Sequence, residues 1–230
     1  MQKIAVVTGG SKGIGLAIVE KLLNENYKVF TVSRTEGELL PLKQKFGNQL
    51  DISLLDFSIQ SNVKVFSDKL ISSVTEIDIL VNNAGVFLPG SIHEEAEGNF
   101  ELQMQLNVAA PYHLTRALLP LMIAKRSGYI FNMCSTASIV PYVNGGSYCI
   151  SKHALLGFSK VLRQELMPYQ ISVSSILPGA TLTDSWAGTD LPENRFMKAS
   201  DIAETLWFAI ANRERMVMEE ILIRPMGGDL

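Results

Sequence analysis

Tyr148 and Lys152 stand four residues apart in the run Ser147-Tyr148-Cys149-Ile150-Ser151-Lys152, and Ser135 precedes the tyrosine by thirteen positions. Residues i and i+4 share one face of an α-helix, so this spacing sets an ammonium beside a phenol. A free tyrosine titrates near pH ~10 and a free lysine near ~10.4, both too high for ready proton exchange at neutral pH. A neighbouring cation favours the phenolate, so Lys152 is expected to lower Tyr148 toward the range useful to an acid–base catalyst. The same spacing also describes an ordinary helix face with a buried tyrosine and an exposed lysine. The elements that must position the pair decide between the two.

Those elements alternate along the chain. Short apolar, β-branched runs predict strands at Ile4–Val7, Val29–Val32, Leu50–Leu55, Ile77–Val81, Tyr129–Met133, Ile171–Leu177 and Glu220–Ile223. Between them, helical periodicity falls at Leu16–Asn24, Glu36–Phe46, Val63–Val74, Glu97–Lys125, Tyr148–Met167 and Ala199–Ala211. Pro111 and Pro120 are expected to bend or interrupt the long fourth helix. Continuously apolar strands alternating with amphipathic helices predict one α/β domain over residues 1–230: a doubly wound, Rossmann-like parallel sheet of about seven strands with helices on both faces. The least regular stretch, 179–198, interleaves turn residues with Trp186, Leu191 and Phe196 and reads as a substrate loop.

Composition narrows the function class. A net charge of −3 gives no electrostatic reason for nucleic acid or an anionic membrane as partner. No apolar run reaches the ~18 residues of a membrane span, and Met1-Gln2-Lys3 leads straight into the first strand without signal-peptide features, which predicts a soluble cytoplasmic protein. Cys134 and Cys149 are too few for a disulfide framework, His93, His113 and His153 are scattered, and no metal site is expected. With nothing basic beside them in sequence, the two cysteines read as small buried residues rather than nucleophiles.

Thr8-Gly9-Gly10-Ser11-Lys12-Gly13-Ile14-Gly15 joins the first strand to the first helix. Glycines there let the backbone turn tightly and let a pyrophosphate approach the free N–H groups of a helix N-terminus. The spacing Thr-Gly-x-x-x-Gly-Ile-Gly, then Asn82-Asn83-Ala84-Gly85 after the fourth strand, then Ser135, Tyr148 and Lys152, resembles the short-chain dehydrogenase/reductase family across nearly the whole chain. The resemblance implies an oxidoreductase that moves a hydride between a nicotinamide cofactor and a carbonyl or secondary alcohol. It implies that Tyr148 gives the proton to the carbonyl oxygen and that Ser135 bonds the same oxygen. Lys152 then tunes the tyrosine and holds the nicotinamide ribose, while Asn107 holds a water linking Lys152 to solvent. Ser138, close to Ser135, is expected on the substrate side.

The cofactor set follows on the same basis: Gly9, Ser11, Lys12, Gly13, Ile14 and Gly15 for the phosphates, Asp56 for the adenine, and Asn83, Ala84 and Gly85 beneath the ribose, with Tyr148 and Lys152. Pro178, Gly179, Thr181 and Thr183 lie where the family holds the carboxamide. In dinucleotide folds an acidic residue ending the second strand binds the ribose 2′-hydroxyl and repels a 2′-phosphate. Here Ser33 takes that place and Arg34 follows it, with Lys12 as a second cation, which is the family pattern for NADP(H) over NAD(H). Asp56 has an alternative role, capping the helix that follows.

Two other readings stand beside this one. An epimerase or dehydratase of the related extended group normally needs a sizeable C-terminal substrate domain, and only residues 179–230 follow Pro178 here. A catalytically silent NADP(H)-sensing protein would have no need of Asn107, Ser135, Tyr148 and Lys152 together. A short substrate loop implies an open pocket for small or medium carbonyls, with a 3-oxoacyl thioester or a pterin-like carbonyl as candidates. Relatives pair the long helix and the Tyr148 helix between subunits, so a homodimer or homotetramer is expected.

Overall fold

The computed structural model describes residues 2–186 and 188–229, without the side chain of Ser185; Met1, Ala187 and Leu230, which the expected domain and substrate-loop ranges include, lie outside the described residues. Seven strands form one sheet: β1 Ile4–Thr8, β2 Lys28–Ser33, β3 Leu50–Leu54, β4 Ile79–Asn82, β5 Gly128–Met133, β6 Ile171–Pro178 and β7 Glu220–Ile223. Their order is β3-β2-β1-β4-β5-β6-β7, and every pairing is parallel. The direction of winding reverses between β1 and β4, which register Val7 against Val81. The crevice outside their carboxyl ends is where such sheets take ligands.

Among the described residues, seven α-helices cover the faces: α1 Gly13–Asn24, α2 Leu39–Phe46, α3 Gln60–Ser73, α4 Asn99–Met104, α5 Ala110–Lys125, α6 Gly146–Leu166 and α7 Ala199–Ala211. The period-2 alternation of buried strands builds two core layers. Ala5 and Val7 of β1 pack with Ile18 and Leu22 of α1 and Leu206 of α7. Val6, between them, faces the other way and packs with Phe66 of α3, Leu114 of α5 and Leu162 of α6.

Two local departures from the expected pattern bear on the site. The second helix begins at Leu39 rather than Glu36, because Gly37 is left-handed at φ 49° and the Glu38 N–H turns back to donate to the Ser11 carbonyl at 3.0 Å. The expected break at Pro111 is a wide turn instead. Residues Gln105–Ala109 form one π-helical turn between α4 and α5, with the Ala110 N–H donating to the Gln105 carbonyl five residues back. Pro111 has no N–H for the Asn107 carbonyl, four residues before it, and π turns often sit at functional positions. Pro120 lies inside α5, which runs on uninterrupted to Lys125.

Candidate active site

The crevice is stitched across β1 and β4 by two side chains. Thr8 Oγ1 accepts the backbone N–H groups of Asn83 at 3.0 Å and Ala84 at 2.9 Å. Asn83 Nδ2 donates to the Thr8 carbonyl at 2.9 Å and the Gly9 carbonyl at 3.2 Å. Gly9 is left-handed at φ 72°, and a Cβ there would lie 3.0 Å from the Ala84 Cα, so glycine is needed on both counts. A Cβ on Gly15 would lie only 2.1 Å from the Gly9 carbonyl oxygen, which shows how closely the loop packs on the first turn of α1. Lys12 occupies the N-cap position without a capping side-chain bond, leaving first-turn N–H groups at Gly13, Ile14 and Gly15 for an anion.

At the far end of β2, Ser33 is buried and its hydroxyl donates to the Thr35 carbonyl at 2.7 Å, while Arg34 is exposed beside it. Asp56 accepts the Ser58 N–H at 2.8 Å, and its carbonyl accepts Asn62 Nδ2 at 2.9 Å, so it braces the turn leading into α3. Hydrogen bonding from Ser58, aided by the charge of Arg34, holds the Asp56 carboxyl below its ordinary value. Lys12 points the other way: its ammonium pairs with Asp184 at 2.5 Å, both side chains well exposed. Thr183 lies beside the same loop, its Cγ2 3.1 Å from where a Gly13 Cβ would be. The substrate segment is thereby tied to the glycine loop.

That segment is closed at its base. The Met197 N–H donates to the Ala180 carbonyl at 3.0 Å and the Leu182 N–H to the Met197 carbonyl at 2.9 Å, with Thr181 bridged to Met197. Gly179, after Pro178, donates its N–H to the Ile223 carbonyl at 2.7 Å, and Thr181 Oγ1 donates to the Gly179 carbonyl at 3.1 Å. Trp186 and Phe196 pack with ring centroids 5.0 Å apart, and Leu191 is exposed.

Tyr148 and Lys152 share the inner face of α6, with the Lys152 ammonium 5.7 Å from the Tyr148 ring centroid. Lys152 is buried, only 6% exposed, and donates to the Met133 carbonyl at 2.7 Å. It faces the Asn83-Ala84-Gly85 turn: a Cβ on Gly85 would lie 3.6 Å from Nζ. Loss of hydration lowers the ammonium to about 8. The phenol is half-buried, and burial pushes Tyr148 above its ordinary value, while the neighbouring Ser135 hydroxyl pulls it back. The lowering of Tyr148 by Lys152, expected from their spacing, is therefore not what the structure gives. Burial acts on both groups, and it dominates each of them.

Ser135 Oγ accepts the Ala137 N–H at 3.1 Å, which leaves its hydroxyl proton available to a substrate oxygen. Ser138 is not on the substrate side. It is 1% exposed and its Oγ accepts the Ser135 N–H at 3.2 Å, so the two serines cap one short 3₁₀ turn reciprocally. Asn107, in the π turn, accepts the Val86 N–H at 2.8 Å and donates to the Val86 carbonyl at 3.0 Å and to Ser151 Oγ at 2.9 Å. The Ser151 hydroxyl donates to the Tyr148 carbonyl at 2.8 Å, linking Asn107 to the tyrosine's own backbone. Cys134 and Cys149 are buried free thiols, and burial pushes the Cys134 thiol up.

Sequence reasoning missed Phe87, Glu95, Gln103 and Ser151. The Phe87 ring packs edge-on against Tyr148 at 4.9 Å. The one signal for any of them was Asn107 itself, a polar residue in a helix that required a partner. Among the described residues, no group of three or more His, Cys, Asp or Glu side chains is arranged to hold a metal ion, and no helix is long and apolar enough to cross a membrane.

Residues 3–194 match the family model for short chain dehydrogenases. An uncharacterised oxidoreductase of Staphylococcus epidermidis is 30% identical over 225 residues, covering 98% of each chain. A sepiapterin reductase of Chlorobaculum tepidum is 30% identical over 241 residues, covering 100% of this chain and 99% of that one. Among solved structures, L-sorbose reductase from Gluconobacter frateurii, complexed with NADPH and L-sorbose, superposes with a TM-score of 0.88 at 31% identity, covering 100% of this chain and 97% of the other. With that match over residues 3–194 and a seven-stranded parallel sheet, the chain belongs to the short-chain dehydrogenase family of oxidoreductases.

Proposed function

We propose that the protein is an NADP(H)-dependent carbonyl reductase or alcohol dehydrogenase with Tyr148 as its general acid–base. One observation carries this reading. Lys152 is a buried ammonium whose hydrogen bond goes to a backbone carbonyl, set beside the Tyr148 ring and facing Gly85. A lysine kept for stability alone would be paired with a carboxylate or left in water. A nicotinamide dinucleotide fits the residues present: Gly9 to Gly15 leave the first N–H groups of α1 free for its phosphates, and Lys152, facing Gly85, would donate to its ribose. When bound, it supplies or takes up the hydride.

The protein's own groups handle the proton and the oxygen. Tyr148 is protonated at neutral pH, as an ordinary phenol is and a buried one more so, and gives its proton to the carbonyl oxygen as charge builds there. The free proton of the Ser135 hydroxyl donates to the same oxygen and stabilises that charge. Lys152, at about 8, sits close enough to neutrality to pass a proton back toward the tyrosine. Asn107 has its side-chain amide fully engaged, so a water relaying protons to Lys152 would use its main-chain oxygen, which Pro111 leaves without an α-helical donor.

Ser33 in place of an acid, with exposed Arg34 next to it, supports NADP(H) over NAD(H), and the NADPH complex of L-sorbose reductase agrees. Tyr142, Val143 and Leu182 are exposed apolar candidates for the substrate wall, which suits a small or medium carbonyl. Phe100, Met104, Tyr112 and Phe158 line an open apolar groove on α4, α5 and α6, which supports a homodimer through that face. Two free thiols suit the cytoplasm.

The test is oxidation of NADPH and NADH with a carbonyl panel that includes a 3-oxoacyl thioester, a keto sugar and a pterin side-chain ketone. NADPH should be used at least ~10-fold more efficiently, and Tyr148→Phe should cut kcat by about 10²-fold or more while sparing NADPH binding. Equal use of the two cofactors sinks the NADP assignment. Tight NADPH binding without turnover of any carbonyl or alcohol identifies a sensor instead.

A further inference from the structure

The loop leaving β4 is fastened step by step to the helices around Tyr148. Val86 is bonded in both directions by Asn107, and Leu88 likewise by Gln103, a fully buried amide, at 3.2 and 3.4 Å. The Gly90 N–H donates to the Asn144 carbonyl at 2.9 Å, and the Ser91 hydroxyl to Asn144 Oδ1 at 2.7 Å. The last fastening is Glu95. Its Oε1 accepts the Ser147 N–H at 2.7 Å and its Oε2 accepts the Ser147 hydroxyl. Helix α6 has no capping side chain of its own and no acid in its first turn, so this carboxylate, 52 residues upstream, is its cap. The fit admits nothing larger. A Cβ on Gly146 would lie 2.1 Å from Glu95 Oε1, and one on Gly90 2.7 Å from Glu95 Cγ. Between these fastenings the loop presents Phe87 to the Tyr148 ring, centroids 4.9 Å apart at 69°.

We propose that Glu95 is a positioning residue for Tyr148: its carboxylate locks loop 86–95 to the first turn of α6 and so holds Phe87 against the phenol ring. The proposal rests on Tyr148 being the proton donor. Tyr148 is the third residue of α6, in the turn where helices fray. The phenol also has two rotatable bonds between backbone and oxygen. Without the clamp both the turn and the ring gain freedom, and a displacement of about 1 Å can cost on the order of 10²-fold in rate. A cap that served stability alone would change the melting temperature and leave kcat intact well below it.

The experiment compares Glu95→Ala, Glu95→Gln and Ser147→Ala in the full-length protein, assayed with NADPH and whichever carbonyl of the panel above is reduced fastest. Glutamine keeps an acceptor for the Ser147 N–H and an amide that can pair with the hydroxyl. Glu95→Ala should lower kcat roughly 10- to 100-fold with NADPH affinity changed less than about twofold. Glu95→Gln should recover most of the loss, and Ser147→Ala, which retains the N–H bond, should fall between. A second readout needs no substrate: ultraviolet titration of phenolate, with Tyr148→Phe as the background. Since burial raises this phenol, opening its surroundings in Glu95→Ala should bring its ionisation down toward the ordinary value. Wild-type kcat in Glu95→Ala, an unmoved phenolate step, or a glutamine variant as impaired as alanine would each overturn the clamp. Should Glu95→Ala not fold, the other two variants carry the same comparison. Tyr148→Phe runs alongside: its retention of turnover would sink the proton-donor reading, whereas its loss with Glu95→Ala unaffected sinks only the positioning role.

Discussion

Replacing Lys152 with methionine should make the protein more stable and nearly inactive. The side chain is buried, and its ammonium falls from an ordinary 10.5 to about 8 because burial strips its hydration. A folded-state pKa below the unfolded one means that the unfolded chain binds more protons between those two values, so stability rises with pH across that window. Below pH 8 both states are protonated and the folded state bears the full penalty, roughly 3 kcal/mol for a shift of that size. Methionine fills similar volume without charge but gives up the bond to the Met133 carbonyl, at a cost of about 1 kcal/mol or somewhat more. The net expectation at pH 7 is about 1–2 kcal/mol of added stability, or roughly 2–8 °C in Tm for a chain of this size. Thermal unfolding followed by circular dichroism at pH 6.5, 8 and 9.5 checks it. The gap between Lys152→Met and wild type should be largest below pH 8 and shrink as the pH rises toward 10.5, while kcat is lost throughout. A variant that melts at or below wild type at pH 7, or a gap indifferent to pH, would refute the reasoning that Lys152 is held charged against the preference of the fold.

Ser138→Ala should lower kcat with little change in KM and also lower Tm, because it leaves the Ser135 N–H without its partner, an effect of about 1–3 kcal/mol; a pure KM effect would return Ser138 to the substrate side. Arg34→Ala should raise KM for NADPH roughly tenfold or more and leave NADH nearly unaffected, as expected for loss of charge-assisted bonds to a 2′-phosphate; parallel changes for both cofactors would remove Arg34 from that role. Asp184→Asn frees Lys12 from its ion pair, and since that pair is well exposed the gain is at most about fivefold in NADPH affinity, read by fluorescence titration against NADH; no change would mean that Lys12 does not meet the cofactor.

The architecture was legible because its signals are periodic and local. Val6 alternates with Ala5 and Val7 between two core layers, and β-branched runs of four to seven residues separated by helical stretches leave few alternatives to a parallel sheet. Where the pattern misled, a single residue decided. Gly37 in a left-handed conformation delayed α2, and Pro111 turned an expected kink into a π turn, neither of which moves the average periodicity. That the glycine loop, Asn83 and the Ser135–Tyr148–Lys152 set lie at the strand ends was also legible, since each is fixed by distance along the chain from a strand end.

What sequence could not carry is the surroundings of those residues in space. Reading Tyr148 and Lys152 as a pair predicted that the cation lowers the phenol, since spacing reports proximity and says nothing of burial. In the fold burial acts on both groups, moving the lysine toward neutrality and the tyrosine away from ionisation. Burial by itself leaves Tyr148 protonated at neutral pH but a weaker acid than a free phenol, so the proton transfer we propose draws on the charge that builds on the substrate oxygen and on a neighbour, Lys152, close to the pKa at which it can restore the proton. The parts that enforce this arrangement, Phe87 on the ring, Glu95 on the helix start and Ser151 beneath the backbone, come from segments 44 to 61 residues apart in sequence or from an inconspicuous helix serine. Their chemistry is ordinary, and only the meeting of β4's loop, the π turn and α6 gives them a role.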